Sequence, residues 1–297
     1  MAFNNGKINM DDLRIIKKIE EENRNIQVTY KITKNSRLRK LKIKCDTMER
    51  IPEEIGNLEF LEILSVKAAN LKFLPKSIGN LKKLMDLSIY DSNLFSLPDL
   101  IKDLANLEVL FVSSGNLHEL PESLKYLKKL TALILYDNKI RALPRDLCAL
   151  EKLRKLDLGQ NQIEEIPDCI GELTNLGALI VSENQIRTLP DSICHLKELG
   201  NLALDKNQLI ALPDHLGHLR KLQLLKLADN RLHYLPESMR ELRWITDLDL
   251  SNNNFTEFPE ILKTMNLETL DLRGNPLQEF PKKLLKAELK EPGFYTV

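Results

Sequence analysis

His195 and His218 stand 23 residues apart, with Cys194 and His215 close by in the chain. Imidazole and thiol are zinc ligands, so these four are the first side chains to test for chemistry. They lack the paired spacing of a structural metal site, and the plainer reading is a set of solvated outer-loop residues. The sequence has no GxxxxGK[ST] phosphate loop, no GxGxxG, no HExxH and no GxSxG elbow. No catalytic residue, metal or cofactor is expected, and the chain reads as a non-enzyme. A second candidate is cationic. Lys31, Lys34, Arg37, Arg39, Lys40, Lys42 and Lys44 crowd one short stretch. They could meet phosphate or an acidic partner, or they could be a solvated first coil whose lysines block strand-to-strand association.

What positions these residues is a repeat. Hydrophobic-Pro pairs end at Pro52, Pro75, Pro98, Pro121, Pro144, Pro167, Pro190, Pro213, Pro236, Pro259 and Pro281; each step is 23 residues except the last, which is 22. A fixed period of this size means a stack of similar coils. The unit reads LxLxxNxLxxLPxxIxxLxxLxx. Its first Leu, position 1, falls at Leu41, Leu64, Leu87, Leu110, Leu133, Leu156, Leu179, Leu202, Leu225, Leu248 and Leu270. Positions 1 and 3 alternate with polar residues, the period of a strand. Asn at position 6 (Asn138, Asn161, Asn184, Asn207, Asn230, Asn253, Asn275) suits the turn that follows. In the first four repeats that position holds Asp46, Ala69, Ser92 and Gly115, and in three of them Asn comes one place late, at Asn70, Asn93 and Asn116. Pro at position 12 suits an extended outer segment. Positions 15, 18 and 21 step by three, as in a short 3₁₀ turn.

In such a frame positions 23, 2 and 4 point away from the core, with position 5 at the edge. The middle repeats place Tyr90, Val109, Phe111, Ile134 and Tyr136 there, and a later one adds Ile180. The C-terminal repeats give Asp157, Glu183, Asp205, Asp229, Asp247, Asp249, Asp271 and Arg273. The face therefore runs basic, then aromatic-apolar, then acidic. Apolar surface rimmed by charge marks an interaction site. The competing reading is that Phe111 and Tyr136 only pack on each other across strands.

The pattern resembles leucine-rich repeats of the 23-residue LPxxI class. It is similar to Ras-suppressor-type and plant Ras-group proteins, and to repeat effectors of bacteria that live inside host cells. The resemblance covers about residues 38–286. It implies an α/β fold, a curved solenoid or horseshoe with about eleven short parallel strands on the concave face and an N-terminal helical cap. It also implies a protein partner on that face, such as a small GTPase or other signalling protein, and a role as signalling scaffold or as bacterial effector acting on host proteins. Two alternatives stay open. One is nucleic-acid or phosphate-ligand binding through Lys31 to Lys44; the other is the substrate-recognition part of a ubiquitin-ligase-like system lacking its catalytic domain.

The caps complete the expectation. Residues 1–37 form the N-terminal cap, with a helix near 10–24 showing an apolar stripe of Leu13, Ile16 and Ile19, and a strand near 26–32. Residues 282–290 are expected as a short capping helix and 287–297 as C-terminal cap and tail. Lys and Arg balance Asp and Glu at 43 each, so no net field draws the chain to nucleic acid or membrane. Four cysteines without paired spacing (Cys45, Cys148, Cys169, Cys194) imply reduced thiols and a cytoplasmic setting, in the chain's own cell or in a host. A monomer is expected.

Overall fold

The computed structural model describes residues 8–23, 25–279 and the backbone of 288–290. They fall into two compact units, unit 1 (residues 1–153) and unit 2 (154–297). Each is a stack of the same coil. A short strand begins at or just before position 1. The chain then turns, runs extended to the proline, and makes a 3₁₀ turn that returns it to the next strand.

In unit 1, helix α1 (Met10–Glu21) is followed by β1 (Gln27–Ile32), β2 (Leu38–Lys44), β3 (Ile63–Lys67), β4 (Asp86–Tyr90), β5 (Val109–Val112) and β6 (Ala132–Ile134). β1 pairs antiparallel with β2; from β2 to β6 each strand pairs parallel with the next. Unit 2 contains β7 (Lys155–Asp157), β8 (Ala178–Ile180), β9 (Asn201–Ala203), β10 (Leu224–Lys226), β11 (Asp247–Asp249), β12 (Thr269–Asp271) and β13 (Glu288–Lys290), all parallel in chain order. The register aligns position 1 with position 1, as in Leu64↔Leu87 and Leu202↔Leu225. The expected α/β solenoid of stacked parallel strands with a helical N-terminal cap is thus observed.

The core is the set of periodic Leu and Ile residues. In the repeat beginning at Leu156, positions 1, 3, 8, 15, 18 and 21 are Leu156, Leu158, Ile163, Ile170, Leu173 and Leu176, all fully buried. An extended proline precedes the 3₁₀ turns, as Pro167 does at φ −67° before Asp168–Glu172; the exception is Leu216–His218, which follows His215. That φ is what the pyrrolidine ring imposes.

The turn after the strand is made by two residues. The residue at position 5 is left-handed from the third repeat onward: Asp91, Ser114, Asp137, Gln160, Glu183, Lys206, Asp229, Asn252 and Gly274 all have φ between 44° and 71°. The buried Asn at position 6 then satisfies the backbone on both sides. Asn207 Nδ2 donates to the carbonyls of Val181 (2.9 Å) and Leu204 (3.0 Å), while its Oδ1 accepts from the Ile186 N–H (3.0 Å). Asn184, Asn230 and Asn253 repeat this pattern. Unit 1 does it once, with Asn138, and a Cβ on Gly115 would lie 2.5 Å from the Asn138 Oδ1. The displaced Asn93 and Asn116 bond to each other at the surface instead (2.8 Å).

The cap differs from expectation in one respect. The buried stripe of α1 is Asp12, Ile15, Ile16 and Ile19, while Leu13 is half-buried. Asp12 can be inside because it is fully partnered: it accepts from the Leu38 N–H at 2.7 Å and pairs with both Arg37 nitrogens at 3.1 and 3.2 Å. Asn9 caps the helix through the Asp11 N–H at 2.9 Å. At the other end, the helix expected over 282–290 is corrected where it can be seen: Glu288–Lys290 is strand, with Leu289 in register with Leu270. Parallel pairing to β12 satisfies backbone that a helix would have left on an open sheet edge. Pro281 and the tail after Lys290 lie outside the described residues.

Four reduced thiols are also corrected. Cys148 and Cys169 are disulfide-bonded, whereas Cys45 and Cys194 are thiols, both buried. Spacing along the chain is a poor guide in a stack of coils, where side chains about 21 residues apart meet, as Lys125 and Asp146 do at 3.2 Å. Burial pushes the Cys194 thiol up to about 11.

Candidate partner-binding face

Each strand turns alternate side chains to solvent, so the face is built from positions 23, 2 and 4. In unit 1 the aromatic-apolar residues expected there come together. Phe111 lies directly opposite Ile134, and Val109 opposite Ala132. The Tyr90 and Phe111 rings are 4.6 Å apart, tilted by 35°. Tyr90, Val109, Phe111 and Ile134 are half-buried, and Tyr136 is 39% exposed. Between them sit small residues that the sequence reading passed over. Ser88 and Ser113 occupy outward positions yet are only 5% and 7% exposed, and the Ser88 hydroxyl donates to Asp86 at 2.6 Å. The ring pair that forms is Tyr90–Phe111, not Phe111–Tyr136, which leaves Tyr136 free to offer its ring.

Unit 2 carries the acidic residues, but they are not equivalent. Asp205 and Asp229 line a depression of about 360 Å³ with Asp247, Asp249, Leu224 and Lys226. Asp157, Ile180 and Glu183 do not line it; Asp157 lies opposite Ile180 on β7 and β8. Several charges are spoken for. Asp271 stands at an outward position yet is buried in a two-pronged pair with Arg273 (2.7–3.1 Å). Glu183 pairs with Lys206 at 3.2 Å, and hydrogen bonds from Gln160 and then Lys206 hold its carboxyl below the usual range. Lys155 stands 3.8 Å from Asp157. Asp247 is held low by the Thr269 hydroxyl and then that of Thr246. Leu224 and Lys226 belong to positions 23 and 2, so the outward-position rule already contained them.

Loop residues fall outside that rule. Phe73 and Phe95 are exposed after the turns of β3 and β4, with Phe95 stacked on His118 at 4.9 Å. Trp244 is 66% exposed beside Arg220, Glu241 and Arg243. The ring stack among the histidines is His215 on His218 at 5.1 Å. Among the described residues, no three His, Cys, Asp or Glu side chains converge as metal ligands, and no helix is long and apolar enough to cross a membrane.

A stack of parallel strands and 3₁₀ turns with an internal asparagine ladder is a leucine-rich-repeat fold. The leucine-rich repeat region family model matches residues 10–134 and 143–249, and a leucine-rich repeat model matches 244–265 and 266–286. The chain belongs to the leucine-rich-repeat family. No curated protein matches it in sequence. Among solved structures it is similar to a Leptospira interrogans leucine-rich-repeat protein, at 28% identity over 82% of this chain and 81% of that one, with a TM-score of 0.56. It is also similar to the Arabidopsis thaliana receptor-kinase ectodomain GASSHO1/SCHENGEN3, solved in complex with CASPARIAN STRIP INTEGRITY FACTOR 2. That match has 29% identity over 84% of this chain and a TM-score of 0.74, and spans 31% of the receptor chain. An internalin from Listeria monocytogenes shares the fold at 19% identity, 94% coverage of both chains and a TM-score of 0.62. Proteins of this fold are typically non-catalytic interaction modules.

Proposed function

We propose that this chain is a non-enzymatic protein-binding module, a scaffold or effector-type adaptor, which takes its partner on the solvent face of the strands. The observation that carries the reading is the cluster of Tyr90, Phe111, Ile134 and Tyr136 on β4–β6 and the turn beyond. Large aromatics on outward strand positions add little to the core, yet they give much contact area at low entropic cost. Neighbours of the same fold that were solved with peptide ligands support the class. The expected cytoplasmic setting rested on four reduced thiols, and with two of them bonded that argument no longer supports it.

The test is capture of a partner by the parent protein, followed by affinity measurement on variants. Phe111→Ala with Tyr136→Ala is expected to lose binding at least ten-fold while circular dichroism stays at the parent spectrum. Asp205→Lys with Asp229→Lys is expected mainly to slow association and change its salt dependence. Parent affinity in the aromatic double variant would overturn the assignment of this face.

A further inference from the structure

The strand face of unit 1 is divided by charge as well as by apolarity. β2 presents Lys40, Lys42 and Lys44 at alternate positions. Lys31 of β1 lies opposite Lys40, and Lys67 of β3 lies beside Lys44. Tyr90 is next to Lys67 in the same row. These ammonium groups therefore share one side of the sheet with the aromatic cluster.

The cations of this segment are not used alike. Arg37 is tied to Asp12, and Arg39 to Glu62 at 2.5 Å. Lys67 is paired with Asp91. Among the described residues, Lys31, Lys40, Lys42 and Lys44 have no carboxylate in ion-pair range. Four unneutralised charges on adjacent strands repel one another, and an anionic partner would relieve that.

We propose that this face binds an extended acidic segment of a protein partner. Its carboxylates lie over Lys40, Lys42 and Lys44, and an apolar side chain rests against Phe111 and Tyr136. This rests on the interaction-face reading above and adds the chemistry of the partner. The spacing sets a motif. Strands are about 4.8 Å apart, so β2 to β5 spans about 14 Å, the reach of about four extended residues. The acidic cluster and the apolar anchor are therefore separated by about four residues. Nucleic acid fits less well. Both guanidinium groups of this stretch, the bidentate phosphate ligands, already hold carboxylates, Arg37 that of Asp12 and Arg39 that of Glu62. Tyr90 and Phe111 pack ring against ring, tilted by 35°, and the surrounding Val109 and Ile134 offer aliphatic rather than stacking surface.

The experiment uses the full chain and a fluorescein-labelled peptide of four acidic residues, a four-residue glycine–serine spacer and one phenylalanine. Controls replace the acids with their amides, or the phenylalanine with alanine. A single-stranded oligothymidine is a separate arm. Expected are binding of the acidic peptide that weakens with salt, and at least ten-fold loss in Lys42→Glu with Lys44→Glu. At least ten-fold loss is also expected with the amide peptide, and no change in Lys102→Glu, an exposed lysine of the 3₁₀ turn Asp99–Asp103, off the strand face. No binding of the acidic peptide, equal binding of the amide peptide, or parent affinity in the lysine double variant would overturn the proposal. So would tighter binding of oligothymidine that is lost in the same variant. If Phe111→Ala with Tyr136→Ala loses the captured partner while the lysine variant keeps it, the face stands and the acidic-segment assignment falls.

Discussion

In unit 1 the strands shorten from seven residues in β2 to five, five, four and three in β3 to β6, whereas β7 to β12 of unit 2 are three residues each. The difference tracks the asparagine. Where an Asn fills position 6 the regular strand is three residues long, and where it does not the strand is four to seven, while backbone bonds between coils run on into the turn. In the first two repeats position 5 is not left-handed and position 6 is not Asn; the bond from the position-5 N–H to the next position-4 carbonyl is made in both kinds of repeat, as Cys45 to Lys67 (2.9 Å) and Gln160 to Ser182 (2.9 Å) are. Longer strands keep position 4 on the flat of the sheet, which is where Lys44, Lys67 and Tyr90 stand. The less regular unit therefore presents the broader strand face. The regular unit trades strand length for a repeated buried turn.

If the units differ in turns and not in core, core truncation should cost the same in both. Leu87→Ala and Leu202→Ala remove fully buried side chains at position 1, each flanked by a strand on both sides. Each is expected to cost about 2–5 kcal/mol by denaturant unfolding. A difference between the two beyond that spread would mean that the cores are not equivalent.

The turns should separate the units at the next level of effect. Asn207→Ala leaves the Ile186 N–H without its partner and takes one of two amide donors from each of the Val181 and Leu204 carbonyls, which Asn184 and Asn230 still reach, so a loss of about 1–3 kcal/mol is expected. Asn116→Ala removes one exposed contact with Asn93 and should stay within about 0.5 kcal/mol. Equal melting temperatures for the two variants would show that the ladder does not distinguish the units.

How much of this was legible in the sequence follows from what period can encode. Leucine, proline and asparagine recur at fixed positions, so the strands, the 3₁₀ turns and the outward positions could be placed from spacing alone. Tyr90, Phe111 and Ile134 were reachable for that reason. The left-handed residue at position 5 was not, because Asp, Ser, Gln, Glu and Lys occupy it and carry no common signal; Gly appears there only at Gly274. Pairings that cross coils were equally hidden. Asp12 was hard to place inside without Arg37 and Leu38 in view, and Asp271 hard to discount without Arg273. β13 escaped because Leu289 follows Leu270 by fewer residues than the period.

The smallest expected difference between the units is electrostatic. Glu53 of unit 1 accepts from the backbone N–H groups of Ser77 (2.9 Å) and Lys76 (3.2 Å) in the next coil. The Ser77 amide above all holds its carboxyl below the usual range. In unit 2, Asp247 is held low by two hydroxyls, from Thr269 and then Thr246. Both carboxylates are depressed on folding, so each stabilises the fold above its unfolded pKa, near 4, and that contribution is lost as pH falls through the folded value. Their partners differ. Threonine hydroxyls can rotate to water when Asp247 is protonated, while the amides at the start of a 3₁₀ turn have no intrahelical acceptor. Glu53→Gln should therefore lower the melting temperature slightly at pH 7 and converge on the parent near pH 3. Asp247→Asn should show a smaller gap throughout. Melting curves across that range check the sign: a Glu53→Gln variant equal to the parent at pH 7 but different at pH 3 would place the acid sensitivity outside this link between coils.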